Sequence, residues 1–249
     1  MHFRWGIIIE YMPLFITGAK MTLIITVLSV MMGTVIGLLM GIARLARSRH
    51  AVAGALLRYG VRLPASAYVT FFRGTPLFVQ IMLMHFGLMP LLISPVDGWL
   101  IHGEAARMLR QEYGPFLSGL VALTLNAGAY ITEIFRAGIQ SIDRGQFEAA
   151  RSLGLGYAQA MRFVLVPQAF RRMLPPLGNE AITLLKDSSL VSAIGLSELA
   201  YAARTVAGVY SRYWEPYLAI SLVYLMLTLL LAAGVALLER RFAAGRSHG

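Results

Sequence analysis

The chain has 249 residues, of which 57% are hydrophobic and only 14% are charged, and its formal net charge is +10. No soluble domain of this size needs so much apolar surface, so the composition indicates an integral membrane protein. Its arginines lie between long apolar runs, which fits the basic cytoplasmic loops of a membrane protein better than a nucleic-acid-binding surface, so no nucleic-acid partner is expected. The chain contains no cysteine, which excludes disulfides and thiolate metal sites.

Four apolar segments are long enough to cross a bilayer, which takes about 20 mostly apolar residues in a helix. These segments contain no Asp, Glu, Lys or Arg, and they are Met21–Ala43, Gly74–Val96, Tyr113–Thr132 and Pro216–Leu238. A fifth candidate, roughly Ala181–Ala203, is weaker because Lys186, Asp187 and Glu198 interrupt it. Hydropathy alone leaves this crossing undecided.

The distribution of arginine decides the number of crossings. Residues 44–63 carry five arginines and no acid, and residues 139–179 carry five more. Arg240 and Arg241 begin a basic tail, whereas 97–112 has two arginines balanced by three acids. Because cytoplasmic loops are enriched in Lys and Arg, five crossings with the N-terminus outside and the C-terminus inside satisfy all three basic segments. Four crossings would leave the basic tail outside.

The sequence therefore predicts an all-α membrane protein with five transmembrane helices and one transmembrane domain at 18–240. A periplasmic segment at 1–17 precedes this domain, and a cytoplasmic tail at 241–249 follows it. The helices are predicted at about 18–43, 65–95, 114–138, 180–203 and 216–238.

A stripe of small residues marks the first predicted helix, where Gly33, Gly37 and Gly41 recur at four-residue spacing. Such a stripe allows another helix to approach closely. The partner is either another helix of this chain, which is the favoured interpretation, or a second subunit.

The predicted cytoplasmic loop at 139–179 is too long for a simple turn. Glu148–Ala150 favours helix, Gly154 permits a turn, and apolar residues at helical spacing follow the turn. Pro167 should end or kink this second helix. The exposed first helix is either a docking element for a cytoplasmic partner or an interfacial helix on lipid headgroups.

The segment from Glu148 to Pro167 also resembles the EAA signature of ABC-importer permeases, with Val164 and Val166 in place of the usual isoleucine and leucine. Other segments resemble the polar-amino-acid branch of that family, the histidine/glutamine-type permeases. They are FFRGTPLFVQ (Phe71–Gln80), NAGAYITEIFRAGI (Asn126–Ile139) and LPPLGNEAITLLKDSSLVSAIGLSEL (Leu174–Leu199). The resemblance covers most of the chain from about residue 18 to 240.

This resemblance implies a type I ABC-importer transmembrane domain in the bacterial plasma (inner) membrane, moving polar amino acids or related opines into the cytoplasm. It implies three partners: a cytoplasmic ABC ATPase dimer, an identical or related second permease chain, and a periplasmic or lipid-anchored solute-binding protein. The chain itself would be no enzyme and would hold no cofactor or metal, because ATP and Mg²⁺ bind to the ATPase. Its only lysines, Lys20 and Lys186, follow alanine and leucine, so neither completes the Gly-Lys-Ser/Thr of a phosphate-binding P-loop.

By the same resemblance, the region from Glu148 to Gly154 is the coupling helix, which sits in a cleft of the ATPase. Glu148 is expected to make a polar contact with the ATPase, and Ala149 and Ala150 are expected to allow close approach. Gly154 would set the turn, and Pro167 lies where the signature ends. Closure of the ATPases on ATP would then move the helix bundle and switch its central site from outward to inward access.

Polar residues inside the predicted helices are the candidates for a substrate pathway. Gln80, Asn126 and Ser192 lie near the middle of the second, third and fourth helices. Each either lines the pathway or forms interhelical hydrogen bonds, and the second interpretation is favoured. Arg73 precedes a predicted helix break that contains Thr75, whose freed backbone groups either bind a substrate carboxylate or shape packing.

Charged residues in the third and fourth helices are further candidates. Glu133 lies three residues before Arg136, so the two either pair with each other, which is favoured, or contact substrate. Lys186 and Asp187 are neighbours that point about 100° apart. One of them can therefore face the channel while the other anchors a neighbouring helix.

Two other classes of protein are alternatives to an ABC permease. An intramembrane enzyme is not favoured, because the nucleophile-elbow pattern that begins at Gly195 lacks its final glycine and no metal-ligand cluster stands out. A secondary transporter or channel that works without an ATPase is the remaining alternative. Five crossings without an inverted repeat argue against it.

Overall fold

The structure, a computed structural model, describes residues 3–45 and 50–243, and the regular structure in these ranges is helical with no β-strand. The helices, in chain order, are α1 (Gly6–Glu10), α2 (Met12–Leu45), α3 (Ala51–Leu57), α4 (Leu63–Gly74), α5 (Leu77–Met82), α6 (Met89–Leu92), α7 (Gly103–Gln140), α8 (Arg144–Ser152), α9 (Tyr157–Ala160), α10 (Val166–Asp187), α11 (Leu199–Tyr210) and α12 (Trp214–Ala243). Three π-helical stretches continue neighbouring helices, at Arg58–Arg62, Leu83–Leu88 and Met161–Leu165.

Within the described ranges, three helices are long and apolar enough to cross a membrane: Met12–Arg44, Gly103–Gln140 and Trp214–Arg241. Val52–Gly74 and Leu77–Leu92 are separated by a short break at which the helix direction bends by 110°, and together they form one more candidate span. The first span begins earlier than the predicted residue 18. The residues of the predicted tail beyond 243 lie outside the described part of the chain.

The second predicted helix, at 65–95, is wrong as a single helix, because the chain breaks between α4 and α5. Thr75 and Pro76 both have extended backbone there, with ψ of 150° and 134°. Pro76 has no N–H to donate to the preceding turn, so the helix ends before it. The break predicted at Gly74, Thr75 and Pro76 is confirmed.

The fourth predicted helix, at 180–203, is also divided. α10 starts well before residue 180 and ends at Asp187, and Ser188–Ile194 continues as a 3₁₀ helix. Gly195 then has φ of +89°, a left-handed conformation that ends the stretch before α11. Neither α10 nor α11 is by itself among the candidate spans, so the residues of the predicted fourth crossing form several shorter helical pieces.

The centre of the bundle is the contact between α2 and α7, and the glycine stripe lies in it. A Cβ added at Gly33 would lie 3.0 Å from the Ala127 Cβ, and one at Gly37 would lie 2.6 Å from the Ile131 Cγ2. Two helices approach this closely only where one of them lacks side chains. The interpretation of the stripe as internal packing is confirmed.

Gly37→Ala should therefore destabilise the bundle, by about 1–3 kcal/mol, because overpacking forces Ile131 or the α2 backbone to shift. Gly234, inside α12, has open space around it. Gly234→Ala should leave stability unchanged or raise it slightly, because alanine favours helix over glycine. Thermal unfolding of the purified chain in detergent checks both variants, and equal melting temperatures for the two would contradict this account of the stripe.

A buried carboxylate connects three helices by hydrogen bonds. Glu198 is fully buried and caps α11, where it accepts a hydrogen bond from the Tyr201 N–H at 2.8 Å. It also accepts from the Tyr224 hydroxyl of α12 at 2.8 Å and from the Thr22 hydroxyl of α2 at 3.3 Å. These donors compensate the loss of water around the carboxylate, so this acid in the weak fourth segment is structural.

Candidate coupling and transport site

The loop between α7 and α10 is built as a helix, a tight turn and a second helix. The Asp143 side chain caps α8 by accepting from the Gly145 N–H at 2.7 Å. Gly154 has φ of +83°, which a side chain would strain, and so fits the role of turn residue. The Leu155 N–H donates to the Ala150 carbonyl at 3.2 Å, and the Arg151 guanidinium donates to the Leu155 carbonyl at 2.7 Å.

The tip of this loop faces outward with one acid and one large apolar side chain. Glu148 and Ala149 are exposed, and no described residue forms an ion pair with the Glu148 carboxylate. Leu153, which the sequence motif does not identify as a contact residue, is 83% exposed. Ala150 is only 3% exposed, so its side chain packs inside the chain. Of the two alanines that are expected to allow close approach of a partner, only Ala149 has an exposed side chain.

The base of the loop is fixed to the bundle by a small hydrophobic cluster. Its buried members are Ile142, Leu165, Ala169 and Met173. Phe147 of α8 packs against this cluster, and its ring lies 5.7 Å from that of Tyr157. Because the cluster includes residues from both sides of the loop, a force on α8 reaches α7 and α10 together.

Pro167 does not end the second helix of the loop, so of the two expected effects, an end or a kink, the first is wrong. Pro167 lies in the first turn of α10, and the π-helical stretch Met161–Leu165 joins α9 to α10 without a break. Because the helix is continuous here, Pro167 offers no N–H to the residue four positions earlier, and the π-helical stretch directly before it is a local departure from α-helical hydrogen bonding. The helix therefore runs from the loop into the membrane domain.

Gln80 and Asn126 form a buried clasp over the helix break. The Gln80 amide donates to the Phe72 carbonyl at 2.8 Å, and the Asn126 amide donates to the same carbonyl at 3.2 Å. That carbonyl lacks its usual partner because the residue four positions later is Pro76. Asn126 also donates to the Gln80 side-chain oxygen at 2.9 Å. This arrangement favours the packing interpretation for both amides.

Thr75 belongs to the same clasp. Its hydroxyl donates to the Phe71 carbonyl at 2.8 Å and lies 2.8 Å from the donating Gln80 amide nitrogen. Arg73 remains exposed, with its guanidinium 5.2 Å from the centre of the Tyr130 ring. Arg73 is the charged candidate at the break, and no carboxylate of the described residues lies within ion-pair distance of it.

Glu133 is held by two arginines near the end of α7. The Arg136 guanidinium lies 2.7 Å from the carboxylate, and the Arg44 guanidinium at the end of α2 also pairs with it. The predicted pair between Glu133 and Arg136 is confirmed. No local pattern predicts the pairing of Arg44, which is 89 residues from its partner.

The C-terminal part of α10 carries charged side chains that form no ion pair with any described residue. Lys186 is exposed and Asp187 half-buried, and Ser192 is half-buried in the 3₁₀ stretch. Sequence reasoning passed over Glu180, which lies half-buried on this helix, close enough to Asp187 and Arg73 for electrostatic interaction. The seven-residue spacing of Glu180 and Asp187 places them on one helix face and could have identified the pair.

No group of three histidines, aspartates or glutamates in the described ranges is arranged to hold a metal ion. The residues above can instead dock a partner, transmit a displacement and offer both signs of charge to a polar solute.

Comparison with known proteins places these features in one family. The family described as "binding-protein-dependent transport system inner membrane component" matches residues 33–244. The glutamine transport system permease protein GlnP of Escherichia coli (strain K12) is 38% identical, covering 97% of this chain and 98% of that protein. The arginine transport system permease protein ArtQ of Bacillus subtilis (strain 168) is 34% identical over the same shares.

A crystal structure of an amino acid ABC transporter with histidines superposes on this chain with a TM-score of 0.80. The two are 38% identical, and the alignment covers 97% of this chain and all of the other. With a family match over most of the length and relatives above 30% identity end to end, the chain belongs to the inner-membrane permease family of binding-protein-dependent ABC transport systems.

Proposed function

We propose that this chain is the permease subunit of an ABC importer that carries polar amino acids into the cytoplasm. The observation that carries the proposal is the outward-facing α8, joined through one hydrophobic cluster to both α7 and α10. Energy for transport comes from a separate ATPase dimer, which binds ATP and Mg²⁺. The named specificities of the relatives, glutamine and arginine, support an amino acid as the cargo.

The same proposal includes five crossings with the N-terminus outside. The crossings are α2, the bent pair from Val52 to Leu92, α7, the composite from α10 to α11, and α12. The charge distribution supports this topology, because the arginine-rich segment after α2 and the basic end of α12 then face the cytoplasm. The transmembrane domain is accordingly 18–240, with 1–17 outside and 241–249 in the cytoplasm.

Contact with the ATPase is assigned to the exposed tip of the loop. Glu148 supplies a charged contact, Ala149 allows close approach, and Leu153 adds an apolar one. Gly154 holds the turn, while Ala150 and Pro167 shape the loop from inside. Nucleotide-driven movement of the ATPases displaces α8, and the cluster passes this rigid-body shift to α7 and α10.

The substrate pathway is assigned to the charged face of α10 and its surroundings. An intramembrane charge without a partner is costly, so Glu180 and Asp187, which share one face of α10, are expected to face a polar passage, while Lys186 is exposed about 100° around the helix. Carboxylates suit the amino group of a zwitterion, and Arg73 or Lys186 suits its carboxylate. A single chain leaves this face open, so a second permease chain, identical or related, is expected to close the passage.

A secondary transporter or channel working without an ATPase is not favoured. Members of the matched family depend on a binding protein by description, and an exposed coupling helix has no role in a transporter that works alone.

Reconstituted vesicles test the proposed function directly. The permease is reconstituted with its ATPase, and uptake of radiolabelled glutamine and arginine is measured with and without ATP and the solute-binding protein. We expect uptake only when both are present. Uptake that persists when both ATP and the solute-binding protein are left out would overturn the proposal in favour of the secondary transporter.

A further inference from the structure

A cavity of about 490 Å³ opens between the end of α2, the helical stretch from α3 to α4, and the end of α7. Arginine dominates its wall, and the lining residues are Arg44, Arg58, Arg62, Leu63, Ser66, Arg136 and Gln140. None of these residues belongs to the loop tip or to the charged face of α10. The cavity therefore has no part in the coupling or transport steps described above.

The wall of the cavity carries more positive charge than the chain neutralises. Arg44 and Arg136 share one carboxylate, that of Glu133. Arg58 and Arg62 have no ion pair with any described residue, and Arg58 is only placed over the Tyr59 ring at 5.7 Å. Four guanidinium groups around one space thus leave donors for an anionic ligand. Planar guanidinium groups suit the oxygens of a phosphate especially well.

An exposed apolar stripe runs along the same helical stretch, beside the arginines. Val52, Leu56, Tyr59 and Leu63 recur every three or four residues and are 59–75% exposed. Arg58, at four-residue spacing from Arg62, lies on the neighbouring flank. The crossing proposed above begins at Val52, so this stripe faces the acyl chains while the arginines on its flank reach back toward the membrane surface. The cavity mouth is then level with the phospholipid headgroups.

We infer that this cavity binds the phosphate headgroup of an anionic phospholipid from the cytoplasmic leaflet, with an acyl chain along the apolar stripe. Basic pockets between helices on the cytoplasmic side hold such headgroups in other membrane proteins. The inference rests on the orientation given under the proposed function, which puts the end of α2 in the cytoplasm. The lipid joins α2, α3 and α7 just above the coupling loop.

Lipid retention by the purified full-length chain in detergent tests this site by native mass spectrometry. Phosphatidylglycerol is titrated against the wild type and against Arg58→Gln/Arg62→Gln. We expect one tightly retained phosphatidylglycerol on the wild type and about 30-fold weaker retention on the double variant. The matched control is Arg240→Gln/Arg241→Gln, which removes two exposed arginines at the same end of the bundle and should retain the lipid as the wild type does.

Four results would overturn the assignment. If the wild type retains phosphatidylcholine as well as phosphatidylglycerol, the charge of the headgroup is not the cause of binding. If millimolar inorganic phosphate displaces the lipid, the ligand of the cavity is a free anion. If the Arg240→Gln/Arg241→Gln control loses as much phosphatidylglycerol as the Arg58→Gln/Arg62→Gln variant, the effect comes from net charge and not from the cavity. Displacement of the lipid by the importer's own ATPase would show a protein contact instead. The titration needs neither ATP nor amino acid, so its failure is distinct from failure of the vesicle uptake assay.

Discussion

Glu148→Arg should abolish ATP-driven uptake while leaving the permease folded in the membrane. Glu148 is exposed at the loop tip and pairs with no described residue, so reversing its charge disturbs no contact within this chain. In the assembly, a reversed charge at a docking contact weakens binding by about 30-fold or more. Co-purification with the ATPase and uptake in vesicles should therefore fall together.

Glu104→Arg is the matched control for this variant. Its side chain is 73% exposed at the start of α7, far along the chain from the coupling loop, and the substitution changes the net charge by the same amount. Uptake by the control should stay at the wild-type level. If the Glu148 variant retains both its ATPase and its uptake, the docking role of Glu148 is wrong.

The coupling loop is the part of this permease that sequence reasoning predicts best, because its signals are local. Glu148–Ala150 favours helix and Gly154 permits a turn, and both features are present. Leu153 was missed, since an isolated leucine in a loop carries no pattern that indicates exposure. Pro167 is predicted to end or kink its helix, but a proline can also lie in a continuous helix beside a π-helical stretch, and only the path of the chain decides which.

Contacts between distant segments could not be predicted from one sequence. Asn126 was identified as a buried polar residue, but its partners, Gln80 and the Phe72 carbonyl, lie 46 and 54 residues away. The pairing of Arg44 with Glu133 could not be predicted for the same reason, because the two residues are 89 positions apart. Hydropathy also treated 180–203 as one weak helix, because the average over a window cannot reveal a 3₁₀ stretch or the left-handed Gly195.

The intramembrane acid Glu180 is the position where loss of a single charge should impair transport most. It lies on one face of α10 with Asp187, within electrostatic reach of Arg73, and it has no ion-pair partner among the described residues. In the proposed passage between two permease chains, a carboxylate in this position would attract the amino group of the substrate. Loss of a charged hydrogen bond of this kind costs about 1.5–3 kcal/mol, or roughly 10- to 100-fold in binding.

Glu180→Gln should therefore lower amino-acid uptake by about 10- to 100-fold while the ATPase still co-purifies. Glu239→Gln is the control, since Glu239 is half-buried in the last turns of α12, away from this face. Because glutamine keeps the size of the side chain, both variants should unfold at the same temperature in detergent. ATP hydrolysis should persist in the Glu180 variant without stimulation by the loaded binding protein, which separates a substrate contact from a coupling defect. Wild-type uptake by Glu180→Gln, alone and combined with Asp187→Asn, would remove this face of α10 from the pathway.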